Sequence, residues 1–227
     1  FTYHRPGDVA AAIALLAEHG DEARVIAGGH SLIPLMKQRM TDIAHLVDLG
    51  GVARLAGVEI AGDTVRIGAT TTQESLIGDA GLARVAPLIR EAALQVADPQ
   101  VRALGTIGGN VANGDPGNDM PAVMMCLDAT FELAGPDGTR TVPARDFYLG
   151  PYETARADEE ILTAMTFAAR PGGTAYEKQK RKIGDYATAA AAVALSKDGD
   201  RCAEAAVAMT NLAPVPVFAA AAGEALA

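Results

Sequence analysis

The sequence predicts an α+β protein in three consecutive units, spanning 1–54, 55–173 and 174–227. Three observations carry that expectation. Strand and helix signals alternate through the first unit, hairpin and glycine-loop signals dominate the second, and strand-like segments follow the Pro171-Gly172-Gly173 break. A chain of 227 residues is long enough for such an arrangement. It should bury roughly 70% of its unfolded surface and needs no disulfide to hold a core.

The elements follow in order. Tyr3-His4-Arg5 read as a short strand. Val9, Ile13, Leu16 and Ala17 then repeat at the spacing of one helical face, with Asp8 as N-cap and Gly20 as the stop. A brief strand at 24–26 runs into Ala27-Gly28-Gly29-His30-Ser31, followed by a short helix at 32–38 and a strand at 45–49. Strand–helix–strand–helix–strand is a small parallel α/β unit with right-handed crossovers. In the second unit, 57–60 and 64–67 form a hairpin across Ala61-Gly62-Asp63. Helical stretches then lead through 87–96 into a glycine-rich loop at 105–119. A helix at 121–127 and strands near 131–133, 139–142 and 161–167 complete it. The third unit opens with a strand at 175–182, continues through 187–195 and 204–210, and ends in a helix at 218–226 with nothing after it. It reads as an unfinished domain.

Composition excludes several classes. A net charge of −9 argues against nucleic acid as a partner, and no run of 18 apolar residues exists to span a membrane. Cys126 and Cys202 are both read as lying inside apolar runs, as two buried thiols in a reducing, cytoplasmic setting. Without a Cys-x-x-Cys group the chain cannot hold an iron–sulfur cluster. His4, His19, His30 and His45 are scattered and show no metal-ligand spacing.

Two glycine loops carry the chemistry that remains. Residues 27–31 leave a strand and enter a helix, and consecutive glycines permit positive φ and close approach of a ligand. Ser31 can cap the helix, whose first amides would favour an anion by about 0.3–1 kcal/mol. Gly105-Thr106-Ile107-Gly108-Gly109-Asn110 repeats the device, so two facing loops could grip a diphosphate from both sides. A Gly-Gly pair after a strand is more often a plain turn. Neither loop is a Gly-x-Gly-x-x-Gly or a Walker motif, so the residues alone do not name the ligand.

Ala27-Gly28-Gly29-His30-Ser31-Leu32-Ile33-Pro34 with Lys37, and Thr106-Ile107-Gly108-Gly109-Asn110 with Asp115-Pro116 and Asn118-Asp119-Met120-Pro121, resemble the FAD-binding subunits of the molybdenum hydroxylases. Tyr3-His4-Arg5-Pro6, Ala97-Asp98-Pro99-Gln100-Val101-Arg102 and Lys182-Ile183-Gly184-Asp185-Tyr186 resemble most the carbon monoxide dehydrogenase branch of that family. The resemblance implies a vanillyl-alcohol-oxidase-type FAD fold in two subdomains, plus a C-terminal domain of antiparallel sheet and helix. It implies FAD bound non-covalently, with Ala27, Gly28, Gly29, His30 and Ser31 on one wall of the diphosphate site. Thr106, Ile107, Gly108, Gly109 and Asn110 would form the other. Asp115 and Asp119 would orient the second loop or meet the ribose; a turn residue and a helix cap are the competing roles.

By the same resemblance Lys178 would serve the N1 side of the flavin ring, Asp185 the N5 side, and Tyr186 would cover a ring face. Lys178, Lys180 and Lys182 alternate along one strand face, so a solvated basic edge is the alternative for the lysines. A half-buried core role is the alternative for Tyr186. The molybdenum cofactor would lie in a large partner subunit and two [2Fe–2S] clusters in a small one, in a dimer of heterotrimers. Electrons would leave through FAD to a quinone, at the cytoplasmic face of the inner membrane. A flavin subunit for aldehydes, purines or N-heterocycles, and a self-sufficient flavin oxidase, are the other readings.

Overall fold

Asp8 starts the first helix as its neighbours require. In the computed structural model, which describes residues 1–227, its carboxylate accepts from the Ala11 amide at 2.8 Å, and Gly20 closes the helix at φ +49°. Three parallel strands, β1 (Thr2–His4), β2 (Ala23–Ile26) and β3 (His45–Asp48), form a sheet in the order β1-β3-β2. The helix α1 (Val9–His19) packs Ala12 and Leu16 into a small core with Ala23, Val47 and Leu49. The short α2 (Leu32–Lys37) follows β2. Ser31 stands at its N-cap position in helical backbone angles and makes no capping bond, contrary to expectation. His4, His19 and His45 are scattered only along the chain. Parallel pairing of β1 with β3 and the return of α1 bring their ring nitrogens within 4.8 Å of one another.

The second unit opens on the expected hairpin, β4 (Val58–Ala61) and β5 (Thr64–Gly68), with Gly62 at φ +61° in its turn. Four short helices follow: α3 (Gln73–Gly78), α4 (Ala80–Val85), α5 (Pro87–Gln95) and α6 (Pro99–Leu104). Thr72, Asp79 and Asp98 each cap one of them by accepting from the amide three residues on. The stretch read as a glycine loop contains a further helix, α7 (Ile107–Ala112), capped by Thr106. Then come α8 (Met120–Cys126), β6 (Thr130–Gly135), β7 (Gly138–Pro143), a small hairpin of β8 (Tyr148–Gly150) and β9 (Glu153–Thr154), and β10 (Ile161–Ala168). The main sheet is antiparallel throughout, in the order β4-β5-β10-β6-β7.

The third unit is an antiparallel sheet in chain order, β11 (Gly173–Gln179), β12 (Ala189–Asp198), β13 (Arg201–Thr210) and β14 (Val217–Phe218), closed by α9 (Ala220–Leu226). Every residue of α8 is buried, as expected of a helix covered all round. It packs against the alanine-rich β12 and β13, whose small side chains at Ala192, Ala206 and Ala208 let it come close. The Cys126 thiol donates to Ala192 O at 3.1 Å, and burial pushes it up to about 12. Cys202, expected to be buried, is only half-buried near the β12–β13 turn. One core of 37 buried residues runs from Val65 to Ala208, so the second and third units share it. No helix is long and apolar enough to cross a membrane.

Candidate functional site

All three units meet at a cleft of about 660 Å³, within the size range of cofactor sites. Of the residues singled out from the sequence, Ala27, Gly28, Gly29, His30, Ser31, Thr106, Gly108, Gly109, Asn110, Asp119, Lys178, Asp185 and Tyr186 line it. Ile107 does not. Its side chain is fully buried in the core, where it anchors α7.

The two glycine loops touch. A Cβ on Gly28 would run into the Leu104 carbonyl and come within 2.8 Å of Gly105 Cα. Gly29 takes φ +74°, the conformation for which its glycine is needed. The amides of Gly28, Gly29, His30, Ser31 and Leu32 donate to no group of the chain.

The second loop behaves differently. Ile107 N–H donates to Thr71 O and Gly108 N–H to Ala69 O, both at 2.9 Å, while Gly109 N–H donates to Thr106 Oγ1 at 3.0 Å. Its amides pin the loop to the second unit, so it cannot mirror the first loop as an amide cradle. Gly108 and Gly109 are helical, not at positive φ, and Gly108 is required because a Cβ would lie 2.6 Å from Ala69 O. Asn118 Nδ2 donates to Asn110 O at 2.7 Å, and Met120 N–H donates to Asn110 Oδ1 at 3.1 Å, tying α7 to the start of α8.

Asp119 occupies the N-cap position of α8 but does not cap it. Its carboxylate accepts from Tyr176 Oη at 2.5 Å and from Lys178 Nζ at 2.9 Å. Burial raises the Asp119 carboxyl despite the opposing pull of Lys178 and Tyr176, and burial also raises the Tyr176 phenol. Lys178 Nζ reaches Gln95 O at 3.1 Å as well, which leaves one of its three N–H groups uncommitted. The row of three lysines breaks up because β11 ends at Gln179. Lys180 turns to Gln95 Oε1 at 2.5 Å, outside the cleft lining, and Lys182 is exposed beyond the strand.

Asp185 Oδ2 is buried without a hydrogen-bond donor, the nearest cation being Arg181 Nε at 3.5 Å. Tyr186 is 60% exposed, which removes the core alternative, and its ring edge abuts Gly117. Asp115 is a turn residue that accepts from Gly117 N–H at 2.9 Å and does not line the cleft.

Sequence reasoning missed other lining residues, Gln73, Tyr152 and Arg156 among them. Gln73 is 1% exposed, and neither polar atom of its side chain has a partner. Tyr152 sits at φ +60° and donates to Asp115 Oδ2 at 3.2 Å. Arg156 braces the rim by donating from Nη1 to the carbonyls of Ala157, Asp158 and Glu160. The hairpin between Tyr148 and Thr154 offered the one local signal for Tyr152. Gln73 had none.

Comparison with known proteins adds the following. The FAD binding domain in molybdopterin dehydrogenase matches residues 1–167, and the CO dehydrogenase flavoprotein C-terminal domain matches residues 174–227. The carbon monoxide dehydrogenase medium chain of Afipia carboxidovorans is 55% identical over 228 residues, covering 100% of this chain and 79% of the relative. The medium chain of Hydrogenophaga pseudoflava is 46% identical, covering 94% and 75%. A crystal structure of the Cu,Mo-CO dehydrogenase superposes with a TM-score of 0.98 at 55% identity, over 100% of this chain and 80% of that one.

Proposed function

Since the chain belongs to the FAD-binding flavoprotein family of the molybdopterin dehydrogenases, we propose that it is the FAD-binding, electron-transferring subunit of a carbon monoxide dehydrogenase. The observation that carries the reading is the run of unpartnered amides from Gly28 to Leu32 along a cleft shared by all three units. A diphosphate would satisfy those donors without a lysine or arginine. Identities of 55% and 46% to carbon monoxide dehydrogenase medium chains, over 100% and 94% of this chain, support this branch over other molybdenum hydroxylases.

The residues present fit FAD. Gly28, Gly29, His30 and Ser31 would hold the diphosphate through the backbone, against a wall of Thr106, Gly108, Gly109 and Asn110. Gln73 offers a buried donor and acceptor, and Lys178 offers one free N–H held in place by Asp119. Asp185 and the exposed ring of Tyr186 stand at the third-unit side of the cleft. When bound, FAD supplies reversible two-electron chemistry that can be entered by single electrons. The chain's own residues would bind it, orient it and screen it from water.

Other chains complete the enzyme. Substrate is oxidised at the molybdenum cofactor of a large subunit, and two [2Fe–2S] clusters in a small subunit feed the flavin. The assembly is a dimer of heterotrimers that delivers electrons to a quinone. Carbon monoxide should reduce the purified complex, whereas aldehydes and purines should not. Turnover of an aldehyde or purine in place of carbon monoxide would move the chain to another branch.

Tyr186 lines the third-unit side of the cleft with 60% of its surface exposed, free to cover a flavin ring face. Tyr186→Ala should lower FAD content or slow flavin reduction through the clusters, with substrate oxidation at the large subunit intact. Rapid-mixing absorbance separates cluster from flavin bleaching. Wild-type FAD content with both phases unchanged would make Tyr186 an ordinary surface residue.

A further inference from the structure

The three-histidine cluster lies outside the cleft and has no part in the reading above. His4 comes from the end of β1, His19 from the last turn of α1 and His45 from the start of β3. All three are half-buried, and their candidate ligand nitrogens lie within 4.8 Å of one another. His4 Nε2 and His45 Nδ1 are 2.9 Å apart, and the His19 and His45 rings stack at 3.7 Å. None of the three donates to a carboxylate of the chain, and the charged groups acting on His45 include the Glu22 and Glu18 carboxylates.

From this arrangement we infer that His4, His19 and His45 form a binding site for a divalent transition metal, clamping β1, α1 and β3 together. Zinc–imidazole bonds of about 2.0–2.1 Å place tetrahedral ligand nitrogens about 3.3 Å apart. The His4–His45 pair needs to open by only a few tenths of an ångström to reach that. Rotation about χ2, a soft torsion for histidine, turns the stacked rings toward a common point. Three neutral imidazoles select Zn²⁺, Ni²⁺ or Cu²⁺ over Mg²⁺ or Ca²⁺, and leave the fourth position to water or a nearby carboxylate. The clamp ties the edge strand β1 to the central strand β3 and to the end of α1, so it acts on stability, not on electron transfer.

The test uses the assembled complex stripped with EDTA and re-equilibrated with Zn²⁺, which elemental analysis distinguishes from iron, molybdenum and copper. Wild type should retain about one zinc per copy of this chain, and Co²⁺ in its place should give the visible absorption of a tetrahedral site. His19→Ala and His45→Ala should each weaken Zn²⁺ binding by at least about 10–100-fold, the loss seen when only an outer-shell support is removed. FAD content should stay at the wild-type level, which also reports folding; His19→Gln serves if alanine disturbs the end of α1. No zinc in wild type above the level of the variants, or equal zinc in wild type and both variants, would overturn the site. Neither result bears on the flavin reading.

Discussion

Replacing Asp119 with alanine should cost about 3–5 kcal/mol of stability, because it strands a buried cation. The Lys178 side chain is 1% exposed and keeps only the Gln95 carbonyl once the carboxylate is gone. Tyr176 loses its acceptor at the same time. Asp119 opens α8 in the second unit while Tyr176 and Lys178 belong to β11 in the third, so the loss should loosen residues 174–227 first. Urea unfolding and limited proteolysis measure the two effects.

The partner variant Lys178→Met gives a sign. Burial already holds the Asp119 carboxyl above its ordinary value, and removing Lys178 takes away the largest opposing influence. A carboxyl raised in the folded state adds stability below its unfolded value, near pH 4, and loses it as pH rises through the folded value. The urea midpoint of Lys178→Met should therefore fall more steeply than wild type between pH 5 and 8. Asp119→Ala combined with Lys178→Met should recover part of what each single change loses. A flat profile, or single-variant costs under about 1 kcal/mol, would mean that water screens the pair.

Gly28→Val should empty the cleft of FAD. The new side chain has no room beside the Leu104 carbonyl and Gly105 Cα, and both are backbone atoms that cannot swing aside. Overpacking of this kind costs about 1–3 kcal/mol or more, and here it separates the two walls directly, so bound FAD should fall at least about tenfold. Gly78→Ala is the matched control, since nothing lies within 4 Å of its added Cβ. FAD released on denaturation, counted per chain, gives the answer. Wild-type FAD content in Gly28→Val would show that the loops need not touch to bind.

Legibility followed the range of the signal. The Asp8 cap, the Gly20 stop and the Gly62 turn are written within a few residues of where they act, and all three read correctly. The helix α7 read as a loop because Gly108 and Gly109 each disfavour helix by about 1 kcal/mol. Bonds to Ala69 and Thr71, far back in the chain, override that preference. The same distance hid Gln73, which opens α3 and whose amide donates to Gly105 O, some thirty residues on. The three histidines meet only through parallel pairing, which no spacing along the chain encodes. The lining residues of both glycine loops, with Asp119, Lys178, Asp185 and Tyr186, were found through motif resemblance; their division of labour, with one loop offering amides and the other consuming its own, arises only in the folded chain.

A cleft lined by residues from three consecutive stretches of the chain implies an order of assembly. Any ligand seated there contacts the first unit through residues 27–31, the second through 106–110 and the third through Lys178 and Tyr186. Binding to the joined form alone stabilises it by about 2.7 kcal/mol at a hundredfold excess over Kd. The small core beside the cleft is itself shared, six of its eight buried residues coming from the first unit and Leu55 and Ile161 from the second, so a seated ligand adds most at this thin junction. Newly made chains would then acquire nucleotide before they present a settled surface to other subunits, and flavin shortage would reach the holoenzyme as failed maturation of the complex.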